Sequence, residues 1–387
     1  MLIRNATVVH HDRLLKNCDL RIENGKITQI GGALGGKSDP LQIEAHEMLL
    51  LPGLIDLHTH GLGDFSVQEN GLREYAALQL EQGVTGCVGT IAGTPEENIR
   101  CIKRCLAETN NLADTPNVYG FRPEIMYVSK SGAGSPGSLR PIEASITQSI
   151  YEAAGGRIAI WDVSPELEGA TAFIRWAVKR GIVVSMAHTR AGIEEARTAV
   201  DAGLSLVTHL YDTFDPPDQK DGGVYPAGIT DYIQVEDRLT VEIIPDGVHV
   251  HPLLVEMTLR CKGIEHVCFI TDSLRGAGKS SGIYDGLAPG QSVRVTENRG
   301  MRRVSDDALC GSTLTQLQSL RNAVRVFGKT AAEASALCSR IPARVLGLDS
   351  KGIIDTGMDA DLILLDAELQ LEYTILGGQI VYSRADL

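Results

Sequence analysis

Eight times between positions 49 and 273 the chain passes through a short apolar, β-branched or Gly-flanked segment and then a stretch with helical spacing. The segments are "LLLPGLIDLHTH", "GVTGCVGTI", "NVYGFRPEIM", "GRIAIWDVS", "GIVVSMAHT", "LSLVTHLYD", "LTVEIIPDGVH" and "HVCFITDS". Between them, pieces such as "GLREYAALQLEQ", "ATAFIRWAVKR" and "GIEEARTAVDA" place apolar residues at i, i+3, i+4 and i+7, the pattern of a helix with one buried face. Strand–helix alternation repeated eight times predicts an α/β fold, a closed (β/α)8 TIM barrel. The helices "CGSTLTQLQSLRNAVRVFG" and "TAAEASALCSRIPARVLG" follow its last strand. An open doubly wound sheet is the competing architecture, but no GxGxxG follows any of these strands to mark a nucleotide site.

The two ends of the chain read differently. "MLIRNATVVH" and "DLRIENGKITQIGG" are short alternating strands with a hairpin signal at Asn24-Gly25, and "YTILGGQIVYS" carries a second turn at Gly377-Gly378. This predicts a small β-sandwich domain built from both termini, residues 1–50 and 350–387, around a catalytic barrel over residues 51–349.

Composition narrows the function. A formal net charge of −13 over 387 residues argues against nucleic acid and against anionic membranes as partners, since both call for a basic surface. No run of eighteen apolar residues and no signal-peptide core is present, and the eight cysteines are scattered without a CxxC. The expectation is a cytoplasmic protein with reduced, buried thiols.

In a barrel of this kind chemistry sits at the carboxyl ends of the strands. Metal-capable side chains gather at those positions: His58 and His60 end the first segment, Glu124 the third, His188 the fifth and His209 the sixth. His249 lies just past the seventh and Asp272 ends the eighth. Along a strand side chains alternate faces, so His58 and His60 point the same way, about 7 Å apart. Burying so many polar groups without a purpose would be costly. Imidazole with carboxylate suits a divalent ion, zinc first, with iron, cobalt, manganese or nickel compatible.

These motifs resemble those of the amidohydrolase superfamily, and within it the N-acetylglucosamine-6-phosphate deacetylases. "PGLIDLHTHG" is similar to the first-strand motif, "MAHTRA" and "THLYD" to the two histidine motifs, "DGVHV" to the substrate histidine segment and "TDS" to the catalytic aspartate. "GSTLT" and "DADLILLD" resemble the closing helix and the return to the β domain. The resemblance implies that Glu124, His188 and His209 hold the principal metal, that His58 and His60 match members with a second ion, and that Asp272 is the general acid/base. It further implies that His249, Asp212 and Thr213 contact substrate and that the protein is a homodimer. The implied activity is metal-dependent removal of an N-acyl group from an amino sugar or amino-sugar phosphate.

The chain departs from the family's pattern where substrate binds. Gly134 stands where a sugar-contacting histidine is usual, Asp212 where asparagine is common, and "DGGVYPAG" where the family carries its phosphate-gripping arginine. Arg275, Lys279 and Arg140 are the candidate replacement cations. Two other enzyme readings are a cyclic-amide hydrolase and a deaminase. The former usually has a carboxylated lysine ending the fourth strand, and "IAIWDVSPE" has no lysine. A reading from another class is a non-catalytic barrel that binds a partner.

Overall fold

The eight expected barrel strands all form, and each runs parallel to its neighbours in the computed structural model, which describes all residues except 12, 36–40, 70, 218–221, 287–289, 297–298 and 387. Leu54–Thr59 pairs with Val84–Ile91, which pairs with Val118–Pro123. A bridge from Phe121 to Ile158 leads into Ile160–Val163, followed in order by Val183–Met186, Leu206–Val207, Thr240–Ile243 and Val267–Phe269. A last parallel bridge, Ser273 to Thr59, joins the eighth strand to the first and closes the barrel.

The amphipathic spacing sets how the helices dock. In the helix Ala170–Val178 the buried residues are Ala170, Phe173, Ile174 and Ala177, an i, i+3, i+4, i+7 stripe. Sinking a Phe or Ile side chain in this way is worth about 1.5–3 kcal/mol. The helix Pro95–Glu108 starts at Thr94, whose hydroxyl accepts from the Glu97 amide while the Glu97 carboxylate accepts from the Thr94 amide.

Strands from both ends share one sheet. Leu2–His10, Arg13–Glu23, Lys26–Gly31, Gln42–Glu44 and Leu49–Pro52 join Leu362–Leu365, Leu371–Leu376 and Gln379–Ser383. Their common core draws Ile3, Val8, Leu20 and Leu50 from the first part and Leu362, Leu364 and Ile375 from the last. Both expected hairpin turns are present, with positive φ at Asn24, Gly25, Gly377 and Gly378. The two turns touch, since a Cβ on Gly25 would sit 3.1 Å from the Gly377 carbonyl oxygen.

Two features were not expected. "LLLPGLIDLHTH" is two strands rather than one: Leu49–Pro52 belongs to the terminal sheet, and the barrel begins at Leu54. Gly53 makes the crossing possible, for a Cβ there would lie 2.0 Å from Thr85 Oγ1. Beyond the eighth strand an antiparallel excursion, Gly282–Asp285, Ser292–Thr296 and Gly300–Arg303, packs Val293, Val295 and Met301 against Leu274 and Cys310.

Candidate active site

Four of the selected residues, in the turns that follow barrel strands, have a backbone conformation that L-residues rarely adopt. His188, two residues past its strand, has φ 46°; His209 has φ 27°, Asp272 φ 49° and Thr213 φ 62°. Each such residue costs on the order of 1–3 kcal/mol, a strain that persists where surrounding structure holds the side chain at a required place. Glu124 follows Pro123 directly at the end of its strand. His58 is the fifth residue of the first barrel strand, and His60 is held just beyond it by its amide donating to the Ser273 carbonyl.

The side chains converge. Glu124 Oε1 lies 3.2 Å from His188 Nε2, 3.4 Å from His209 Nε2 and 3.5 Å from His58 Nε2, while Oε2 lies 3.2 Å from His60 Nε2. Asp272 Oδ1 is 3.3 Å from Nε2 of both His58 and His60. Two groupings here have metal-ligand spacing, His58–Glu124–His209 and His58–His60–Asp272; His188 meets this cluster through Glu124 and through its ring, 5.0 Å from that of His209. His60, Glu124, His188, His209, Asp212, Thr213, His249 and Asp272 line one cleft, and His58 lies beneath it. Ile125, Leu274, Leu309 and Cys310 supply its apolar wall.

The donor set fits a cation. Neither ring nitrogen of His58 finds a hydrogen bond, nor does Nδ1 of His60 or His209, although all are buried. His188 Nδ1 faces the Lys130 carbonyl at 2.9 Å, so it must carry the proton and donate. Its Nε2 lone pair is then aimed at a carboxylate, which is repulsive unless a positive charge lies between them. Burial pulls the His58 imidazolium down and Arg122 adds to this, but the Asp272 and Glu124 carboxylates outweigh both and bring it up to about 10. Burial likewise pushes Asp272 up, yet His58 and His60 hold it down at about 2. Without an ion the cluster therefore draws in protons, and a divalent ion would take their place.

Beneath the cleft lies a charged layer that the sequence reading missed. The Arg122 guanidinium, fully buried, donates to both oxygens of Asp162 at 3.0 Å and to both of Glu242 at 2.7 and 2.9 Å. It also donates to the Leu57 carbonyl and the Thr208 hydroxyl. Glu242 Oε2 stands 3.7 Å from His58 Nδ1. Asp56, pushed up to about 7 by burial, accepts from the Thr271 hydroxyl and the His58 amide. The only sequence signal for this layer was a charge interrupting an otherwise apolar strand.

At the substrate side, His249 Nδ1 is 2.7 Å from Asp246 Oδ2, which fixes the ring and leaves Nε2 for a ligand. The Asp212 carboxylate has no hydrogen bond from any described residue. The candidate replacement cations do not line the cleft. Arg275 pairs with Glu69 and Asp285, Lys279 pairs with Asp64, and Arg140 donates to the Gly137 and Leu139 carbonyls. Asp221, the first residue of "DGGVYPAG", lies outside the described residues, and Val224 and Tyr225 are exposed. A third metal-capable group, His10–His11–Asp355, sits on the terminal sheet.

A closed parallel barrel with imidazoles and carboxylates gathered at its strand ends is the architecture of a metal-assisted hydrolase. The chain belongs to the amidohydrolase family, whose model matches residues 49–381, and that family is generally metal-dependent. It is 30% identical to N-acetylglucosamine-6-phosphate deacetylase of Lysinibacillus sphaericus, across 98% of this chain and 97% of that one. It is 28% identical to N-acetylgalactosamine-6-phosphate deacetylase of Escherichia coli, across 98% of each. The crystal structure of N-acetyl-D-glucosamine-6-phosphate deacetylase from Mycobacterium smegmatis superposes with a TM-score of 0.88 at 27% identity, covering 99% of this chain and 100% of that chain. Among the described residues no helix is long and apolar enough to cross a membrane.

Proposed function

We propose that this protein hydrolyses the amide of an N-acetyl amino sugar, releasing acetate and the free amine. The observation that carries the reading is the meeting of Glu124 with His188 and His209 within 3.4 Å, beside Asp272 and in one cleft. Its relatives' names point to the same substrate class.

Glu124, His188 and His209 would hold the principal ion, with His58, His60 and Asp272 available to a second. When bound, a divalent ion there supplies Lewis acidity toward the acyl oxygen and acidifies water. Asp272 takes the proton of the attacking water on a carboxylate oxygen and returns it to the departing amine nitrogen. His249, its Nδ1 anchored on Asp246, presents Nε2 to the oxyanion that develops on the acyl carbon. Thr213 and Asp212 border the remainder of the substrate. Zinc is the first candidate metal, and a homodimer the expected assembly.

The test is a panel of N-acetylated amino sugars offered to protein loaded with Zn(II), with acetate release and bound metal measured together. Acetate release that requires the metal supports the reading. A protein that retains no stoichiometric metal and releases no acetate is a binding barrel instead.

A further inference from the structure

We infer, building on the metal-dependent deacetylase reading, that Glu166 is a positioning residue: its carboxylate clamps the two residues after His188 and so holds that imidazole at the metal site. Glu166 lies in the turn between the strand Ile160–Val163 and the helix Ala170–Val178, half-buried, and it does not line the cleft. Its carboxylate reaches across to the turn that follows the next strand. There Oε2 accepts from the Thr189 hydroxyl and Oε1 from the Arg190 amide, both at 2.6 Å. The Thr189 hydroxyl in turn accepts from the Ala191 amide at 2.9 Å. Hydrogen bonds to an ionised acceptor are among the stronger ones, and here both act on the stretch directly after His188.

With φ at 46°, His188 is strained, and a strained backbone relaxes unless its surroundings over-determine it. Ser164 supplies part of the restraint. Its hydroxyl lies 2.9 Å from the Ala187 carbonyl and 3.1 Å from the His188 carbonyl, and it accepts from the Ser129 amide. The Lys130 amide donates to the same His188 carbonyl, and the Lys130 carbonyl faces the ring at Nδ1. These contacts grip the ring and the backbone up to His188; Glu166 grips the backbone beyond it. Held from both sides, the imidazole keeps Nε2 at 3.2 Å from Glu124 Oε1. Releasing the far side lets φ relax and swings Nε2 away from the place an ion would share with Glu124 and His209. For the stability of the fold, strain relief and the lost hydrogen bonds oppose each other, whereas metal affinity changes in one direction only. That difference separates a positioning role from plain structural support.

The experiment challenges the full chain, loaded with Zn(II), with a chelator and measures retained zinc beside acetate release and the urea midpoint of the metal-free form. His188→Ala marks which zinc is in question. Glu166→Ala should weaken the affinity for that zinc on the order of tenfold, with the metal-free midpoint near wild type. Glu166→Gln keeps one acceptor oxygen and should fall between wild type and Glu166→Ala; it decides on the same criterion if Glu166→Ala does not fold. Glu195→Ala is the matched control, because that carboxylate accepts from the Gly192 amide at the start of the helix Ile193–Asp201. Its loss should lower the midpoint and leave zinc affinity unchanged. Wild-type zinc affinity in the Glu166 variants, or an equal loss in Glu195→Ala, overturns the inference and leaves the deacetylase reading intact. Wild-type protein that binds zinc but releases no acetate sinks the deacetylase reading, and the affinity comparison then still decides the role of Glu166. Wild-type protein that binds no zinc overturns both.

Discussion

The Arg122 guanidinium and the Asp162 carboxylate lie fork to fork, with two N–O distances of 3.0 Å and no exposure of either side chain. Glu242 completes the arrangement on the other edge of the guanidinium, so one cation serves two anions directly below His58. Arg122→Met would leave both carboxylates buried and uncompensated. Urea unfolding should show a loss on the order of 3–5 kcal/mol. Arg122→Lys keeps the charge but loses the fork and should fall between the two. A midpoint within error of wild type for Arg122→Met would mean that the layer is not a structural support.

The division of labour between ligand and proton carrier separates two substitutions. Asp272→Asn should lower kcat by roughly 10²–10⁴ while the ion at Glu124, His188 and His209 is retained. His188→Ala should lose metal and activity together. Elemental analysis beside the rate assay distinguishes them, and an Asp272→Asn protein active within a few-fold of wild type would remove Asp272 from the proton-transfer role.

Gly132 supports His188 from behind. Its φ is +55°, and a Cβ there would approach His188 Cε1 to 2.7 Å. Gly132→Ala therefore pays a backbone penalty of about 1 kcal/mol and displaces the imidazole. The expected result is weaker zinc retention under chelator challenge and a rate reduced several-fold. Unchanged retention would show that the loop yields instead of the ring.

Acid sensitivity has a structural source away from the cleft. Burial pushes the Asp359 carboxyl up, but Lys26, Ser350 and Lys351 outweigh it and hold it at about 2, with Lys26 Nζ at 2.5 Å. The folded value lies below the unfolded one of about 3.9, so the stabilisation is complete above that value and drains away as pH falls toward 2. Asp359→Asn should cost on the order of 1 kcal/mol at neutral pH, discounted for solvent screening, and should flatten the stability profile between pH 4 and 2. A variant as acid-labile as wild type would place the sensitivity elsewhere.

The barrel was legible because its signal is repetitive and local: eight short apolar runs alternating with helices, a 3.6-residue stripe in helices such as Ala170–Val178, and polar residues just past the apolar runs. His58, Glu124, His188 and His209 could be selected by position alone, and they meet. Arg122, Asp162 and Glu242 could not. Their meaning lies in lateral contacts between strands 40 and 120 positions apart, and in sequence each is one charge inside an apolar stretch. The Gly53 crossing was hidden for a related reason, since the apolar run Leu49–Pro52 leads straight into the buried strand Leu54–Thr59, and only the sheet that receives each separates them. The rim excursion after the eighth strand pairs short strands across turns and offers no long periodic run.

The most direct measurement is anomalous X-ray scattering at the zinc edge from crystals of the zinc-loaded protein. The predicted result is a peak bounded by Glu124, His188 and His209, with any second ion against His58, His60 and Asp272. Zinc confined to His10, His11 and Asp355, with the cleft empty at full loading, would contradict the account.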